Sequence, residues 1–264
     1  MGIFSDKKAV VIGGSGGIGR AVSQKLAATG AFLTVHGRHD NSSLDSFLED
    51  LNSISNDNTP SKKSGILKAK KAVFELTLKN YDSVCSSKLK EILIDADIVC
   101  VCFGPFIQKP LAETSFEDWN EMALLNYALP GFCISTALPH MIEKKWGRFL
   151  LFGGTRTYTI NGFKTNPAYA GAKTGVCSLV RSAAQEYANF GITCNAILPG
   201  FAETEYLSES TKEILRKKSP SGSLIPTENI AECAMFLLQN SKINGALLNV
   251  DDGWDGGMNN YFQR

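Results

Sequence analysis

The sequence predicts an α/β protein with a doubly wound, parallel, seven-stranded sheet and helices on both faces. Three observations carry that prediction. Short β-rich apolar runs alternate with longer stretches of helical period, the rhythm of strand–helix–strand units. A glycine-rich turn follows the first apolar run at once and opens the first helical stretch. The run 97–103 is apolar on both faces, as a central parallel strand covered from each side must be.

Residues 9–12 read as a strand, 18–28 as a helix, 32–36 as a strand and 43–53 as a helix. The stretch 55–65 is rich in Ser, Asn, Asp, Pro and Lys and reads as a long exposed loop, an insertion and not a domain boundary. A strand at 69–76, a helix at 80–93 and the strand 97–103 follow. Residues 115–144 are helical in pattern but carry Pro130 and Pro139. Proline lacks the N–H and crowds the preceding turn, so this helix is expected to be broken or kinked. The remaining elements are a strand at 148–152, a helix at 167–189, a strand at 192–197, a helix at 227–239 and a last strand at 246–250. Thr227 is the expected N-cap of the last helix, with Glu228 in its first turn. The whole chain, 1–264, reads as a single dinucleotide-binding and catalytic domain on the site residues below, without repeats or low-complexity segments.

Hydrophobic residues make up 44% and charged residues 20%, and the formal net charge is +1, a balance that fits a globular chain with a core and argues against disorder. Without a basic cluster there is no electrostatic footprint for nucleic acid or an acidic membrane surface, and neither is expected as a partner. The seven cysteines are an odd number with no Cys-x-x-Cys pair, which suggests neither a disulfide framework nor a zinc site. Cys100 and Cys102 alternate with valines in an apolar run and read as small buried hydrophobes. No metal is implied, since His36, His39 and His140 form no ligand spacing. No signal-peptide pattern and no apolar run of transmembrane length is read, so a cytoplasmic location is expected.

The turn Gly13-Gly14-Ser15-Gly16-Gly17-Ile18-Gly19 lies between a strand and a helix. In that context glycines let the backbone approach a pyrophosphate, whose charge the free N–H groups of the helix start can meet. A glycine-rich turn without a ligand is the plainer alternative. The second strand ends at Val35-His36-Gly37-Arg38, where Gly37 replaces the carboxylate that would take a ribose 2′-hydroxyl. The Arg38 guanidinium beside it can pair with a 2′-phosphate, so NADP(H) is favoured and NAD(H) remains possible. Tyr169 and Lys173, four residues apart on a helical segment, share one face. An ammonium beside a phenol favours the phenolate and is expected to lower the Tyr169 pKa.

With these residues in order, the chain resembles the short-chain dehydrogenase/reductase family over nearly its whole length. Gly13, Ser15, Gly17, Ile18 and Gly19 fall in the family's cofactor turn, Gly104 after its fourth strand, Asn126 at its helix asparagine, and Tyr169 and Lys173 at its active-site pair. Pro199, Gly200 and Thr204 look like the segment that contacts the nicotinamide, and 248–253 like the closing strand and turn. The resemblance implies a Rossmann-like fold and hydride transfer between NADP(H) and a small carbonyl or alcohol substrate. By the same resemblance Tyr169 exchanges the proton with the substrate oxygen. Lys173 holds the nicotinamide ribose and depresses the Tyr169 pKa, Asn126 keeps a water in a relay toward Lys173, and Glu75 with Leu76 borders the adenine. It also implies a homo-oligomer, dimer or tetramer, with the long helices and 254–262 as candidate interfaces.

Several positions depart from the family pattern. Gly154 stands where the catalytic serine is usual, and the segment from there to Tyr169 is two residues longer. Thr155 is the nearest hydroxyl, either an ordinary loop residue or a replacement that orients the carbonyl oxygen. Val101-Cys102-Phe103-Gly104 replaces Asn-Asn-Ala-Gly, keeping only the glycine. Ile12 replaces a threonine and Gly16 a frequent basic residue of the cofactor turn. These departures keep open an alternative: a dinucleotide-binding relative with weak or no turnover. The substrate pocket is expected from Phe106, Tyr158, Phe163, Phe201 and residues near Tyr206 and Leu207.

Overall fold

The computed structural model describes residues 2–57 and 68–254. Strands β1 (Lys8–Ile12), β2 (Phe32–Gly37), β3 (Ala69–Val73), β4 (Ile98–Val101), β5 (Gly147–Phe152) and β6 (Ile192–Pro199) alternate with helices. These are α1 (Gly17–Ala28), α2 (Ser42–Asp57), α3 (81–93), α4 (Phe116–Lys144) and α5 (Pro167–Tyr187). After β6 come the two-residue strand β7 (Ala202–Glu203), helix α6 (Glu209–Lys218), the two-residue strand β8 (Ile225–Pro226), helix α7 (Thr227–Gln239) and strand β9 (Leu247–Val250). Seven strands form one sheet in the order β3-β2-β1-β4-β5-β6-β9, parallel throughout.

The alternation of strand side chains decides which helices cover which face. Val10, Ile12, Val99, Val101, Phe149 and Leu151 point to one side, where α3, α4 and α5 bring Leu89, Leu129, Cys133, Met141, Val176 and Val180. Ala9, Val11, Ile98, Cys100, Leu150 and Phe152 point to the other, against Val22 and Leu26 of α1, Phe47 and Leu51 of α2, and Ile230 and Leu237 of α7. The strand order reverses direction between β1 and β4. In open parallel sheets the crevice beyond the carboxyl ends of such a pair is where ligands bind.

Several expected boundaries differ. Helix α2 runs on to Asp57, so the first residues of the expected loop are helical, and 58–65 lies outside the described residues. Strand β3 pairs only to Val73, leaving Phe74, Glu75 and Leu76 as extended chain at the crevice. Helix α4 does not break. Pro130 cannot donate to the Asn126 carbonyl four residues back, and the helix widens into a π-turn at Leu124–Ala128 while continuing to Lys144. Pro139 sits within the helix on its exposed side. By length and composition α4 is apolar enough to cross a membrane, contrary to the sequence reading, yet its Leu125, Leu129, Cys133, Ala137 and Met141 are core residues against the sheet. Thr227 is the first helical residue of α7, with Pro226 at the N-cap and no side-chain cap. Cys100 is buried, its thiol pushed up to about 12, whereas Cys102 is only half-buried.

Phe149 fills the centre of the α3–α5 side, 1% exposed. Phe149→Ala is expected to cost about 3–5 kcal/mol, read as a lower urea midpoint at unchanged slope.

Candidate active site

The turn after β1 is shaped by what its glycines permit. Gly13 (φ 75°) and Gly17 (φ 49°) adopt left-handed backbone. At Gly19 a Cβ would stand 2.1 Å from the Gly13 carbonyl oxygen, so only glycine lets α1 start directly on the turn. His36 holds this turn from beneath. Its Nδ1 accepts the Gly13 N–H at 3.0 Å, its Nε2 lies 2.9 Å from the Phe74 carbonyl oxygen, and its ring stacks on Phe74 at 4.3 Å. Those two bonds need the neutral imidazole with its proton on Nε2, and burial shifts its pKa down in the same sense.

Above the turn lies a cleft of about 550 Å³. It gathers most of the residues expected to bind a cofactor: Gly13, Ser15, Gly17, Ile18, Gly104 and Thr204, with Arg38, Glu75 and Leu76 at one end. The guanidinium of Arg38 pairs with the Glu75 carboxylate, and both are exposed. A Cβ at Gly37 would stand 2.9 Å from Leu44 Cδ2 and 3.3 Å from Ser15 Oγ. Gly19, Pro199 and Gly200 do not line the cleft, contrary to expectation. Gly19 packs under the turn. Gly200 is packed against Asp251, and its N–H donates to the Val250 carbonyl at 2.9 Å, while Pro199 accepts from Thr155. Tyr206, near which the substrate pocket was expected, lies on the glycine turn beside Glu205, whose Oε1 accepts the Gly17 N–H at 2.8 Å.

Beyond Gly104 the cleft adjoins a cluster of proton-bearing groups. Lys173 on α5 is buried, and its Nζ donates to the Phe152 carbonyl at 2.9 Å, at the end of β5. Asn126, in the π-turn of α4, donates from Nδ2 to the Pro105 carbonyl at 2.9 Å, and its buried Oδ1 has no partner. A Cβ on Gly104 would stand 2.3 Å from that Oδ1 and 3.2 Å from Lys173 Nζ, so both groups face the space that this glycine keeps open. An orphaned buried acceptor beside an ammonium suits a water or a ligand hydroxyl. The donor set and the glycine cradle therefore fit a dinucleotide.

Tyr169 lies one turn from Lys173 on α5, with Nζ 5.7 Å from its ring centroid and the Phe106 ring edge-on at 4.9 Å. Burial pushes the phenol up to about 12 and the Lys173 ammonium down to about 8. This corrects the expectation that Lys173 lowers the Tyr169 pKa, because loss of water around the phenol outweighs an ammonium held away toward Phe152. Thr155 is also corrected. Its hydroxyl donates to the Pro199 carbonyl at 3.0 Å, while Thr157 pins Gly154 by accepting its N–H at 3.1 Å and donating to its carbonyl at 2.7 Å. The residue facing Tyr169 is Gly154 itself, where a Cβ would lie 3.5 Å from Tyr169 Cε1. Phe201 packs edge-on against Trp254 at 5.1 Å, and 255–262 lies outside the described residues.

The sequence profile described as short chain dehydrogenase matches residues 7–215. The chain belongs to this family. Among relatives of this chain, a 3-oxoacyl-[acyl-carrier-protein] reductase FabG of Haemophilus influenzae is 28% identical, over 94% of this chain and 97% of its own. A D-beta-hydroxybutyrate dehydrogenase of Rhizobium meliloti is 25% identical, over 94% and 98%. Among solved structures, a putative gluconate dehydrogenase from Agrobacterium tumefaciens superposes with a TM-score of 0.77 at 25% identity, covering 94% of this chain and 95% of that one. A structure titled "ElxO with NADP Bound" reaches 0.75 at 25% identity, over 94% and 98%.

Two residues of this short chain dehydrogenase site were not singled out from the sequence for what they do. His36 carried a signal, a histidine at the end of an apolar strand, but its acceptor role needs the fold. Glu205 carried none. Because the folded His36 pKa lies below the ordinary 6.5, the native state binds fewer protons between the two values, so this contribution to stability is full above pH 6.5 and is lost as pH falls through the folded value. Urea midpoints from pH 7.5 to pH 5 are expected to fall more steeply in wild type than in His36→Phe, which has nothing to protonate.

Proposed function

We propose that this short chain dehydrogenase transfers hydride between NADP(H) and a small carbonyl or alcohol substrate. The single observation that carries the reading is Gly104. It lines the cleft above the glycine turn and also opens onto Lys173 Nζ and Asn126 Oδ1, so the cradle and the proton-bearing groups share one wall. Gly13, Ser15, Gly17 and Ile18 would hold the pyrophosphate, Arg38 the 2′-phosphate, Leu76 the adenine, and Lys173 with Thr204 the nicotinamide end. The dinucleotide supplies or accepts the hydride when bound.

In reduction, the Tyr169 Oη gives its proton to the carbonyl oxygen as the carbon gains hydride. A phenol pushed up to about 12 holds its proton at neutral pH and gives it up only where a neighbouring positive charge meets the phenolate. The Lys173 ammonium stabilises the phenolate left behind, and Asn126 Oδ1 holds the water through which the proton is replaced. The relatives are named for a 3-oxoacyl and a β-hydroxy substrate, which supports a ketone–alcohol pair, and the neighbour solved with NADP supports the phosphorylated cofactor. The exposed Phe116, Trp119 and Tyr127 of α4 suit the homo-oligomer expected from the sequence, and the protein is read as one cytoplasmic catalytic unit.

Two observations favour variants of this reading. Glu75 occupies Arg38 and could accept ribose hydroxyls, which favours NAD(H). Gly154 carries no hydroxyl toward Tyr169 and the Thr155 hydroxyl is turned to the Pro199 carbonyl, which favours weak turnover. NADPH oxidation with a panel of 3-oxo substrates tests the main reading. Tyr169→Phe is expected to lose about 10²–10⁴-fold in kcat while binding NADPH as wild type does, and Gly154→Ser, whose Cβ finds ordinary contact distances, to raise kcat. Arg38→Ala should weaken NADPH more than NADH. No turnover with any ketone, alongside intact NADPH binding, would favour the weak-turnover reading.

The pH profile gives an independent check. Lys173 loses its charge as pH rises through about 8, so kcat/KM for reduction is expected to decline along a limb near that value. A profile flat to pH 10 would count against a charged Lys173 in the reaction.

A further inference from the structure

We infer that Glu205 is an internal anion that closes the cofactor turn, and that a dinucleotide binds by displacing it. The inference rests on the dinucleotide reading above. The Gly17 N–H is one of the free donors at the start of α1, where the helix dipole and unpaired N–H groups favour negative charge. In this structure the donor is taken: Glu205 Oε1 accepts it at 2.8 Å.

Tyr206 covers the same spot. A Cβ on Gly16 would stand 1.9 Å from the Tyr206 hydroxyl oxygen and 2.7 Å from Glu205 Oε1, and one on Gly17 3.2 Å from Tyr206 Cε2 and 3.4 Å from Thr204 Cγ2. The side chains of 204–206 thus rest directly on the glycine backbone that a pyrophosphate would approach. Two anions cannot share one N–H donor at hydrogen-bond distance without strong repulsion. Among the described residues no Lys or Arg pairs with Glu205, whereas its neighbour Glu203 is met by Lys212 and Arg216. The Glu205 carboxylate therefore has α1 itself as its positive partner.

The segment is built to move as a unit. It is tethered on one side by the two-residue pairing of β7 with β8, and on the other by α6, whose N-cap Ser208 accepts the Thr211 N–H. Between them a turn, Leu207 N–H to the Thr204 carbonyl at 3.3 Å, orders the backbone, and the Glu205 bond to Gly17 holds it on the glycine turn. Exchange of the carboxylate for a pyrophosphate would release Glu205 and Tyr206 from the turn together and free Thr204 to meet the nicotinamide end, so cofactor binding and rearrangement of this wall are one event. Affinity for the dinucleotide is then reduced by the fraction of molecules in the open form, about tenfold if nine in ten are closed.

The test is a fluorescence titration of wild type, Glu205→Gln and Glu205→Ala with NADPH and with NADH, joined to stopped-flow association rates. Both variants are expected to bind about tenfold more tightly than wild type, the gain lying in a faster association. Should Glu205→Ala fail to fold, the isosteric Glu205→Gln carries the comparison alone. Wild-type binding that is unchanged or weakened in the variants overturns the closing role while leaving the dinucleotide reading standing. Binding of neither dinucleotide by wild type or variants overturns both.

Discussion

A backbone N–H with no partner inside its own helix, placed where β1 hands over to α1, is the constraint around which this fold is arranged. To present the Gly17 N–H to the crevice, the chain must turn tightly after Ile12 and start a helix at once. That requires left-handed backbone at Gly13 and Gly17 and no side chain at Gly19. The turn is then pinned by a neutral histidine that ties Gly13 to the extended chain at Phe74. The parallel order around β1 and β4 follows the same demand, because only at the reversal between them do loops part to leave a crevice.

The proton-bearing groups sit at the other end of the same crevice under a different physical rule. Burial, not pairing, sets Tyr169 and Lys173, and it pushes them in opposite directions, the phenol toward its neutral acid and the ammonium toward its neutral base. Both shifts favour the uncharged forms at rest, so a phenolate forms at Tyr169 only with the Lys173 charge to meet it. The π-turn in α4 belongs to this design: the proline that prevents a regular turn leaves Asn126 aimed at the space over Gly104 with an acceptor to spare.

Where sequence pattern is local, it was legible. The seven strands of the main sheet and the glycine turn follow from apolar runs, period and the freedoms of glycine, and the four-residue spacing of Tyr169 and Lys173 survives on α5, whereas β7, β8 and α6 carried no pattern that was read. Properties that depend on what lies opposite were not legible. Thr155 was open between a loop residue and a replacement hydroxyl, and only the fold shows its hydroxyl on the Pro199 carbonyl while Thr157 holds Gly154. Arg38 and Glu75 are 37 residues apart, so their pairing is invisible to any local pattern. Pro130 signalled a defect correctly, but whether a helix breaks or widens depends on the packing around it, and here the core residues on either side keep α4 whole.

The central claim is that the start of α1 is an anion site shared by turn between Glu205 and a dinucleotide. Amide hydrogen exchange with and without saturating NADPH reads it most directly. The account predicts slower exchange across 13–19 and faster exchange across 203–207 in the same sample, as one anion replaces the other. Protection that leaves 13–19 unchanged, or that slows both segments together, would contradict it.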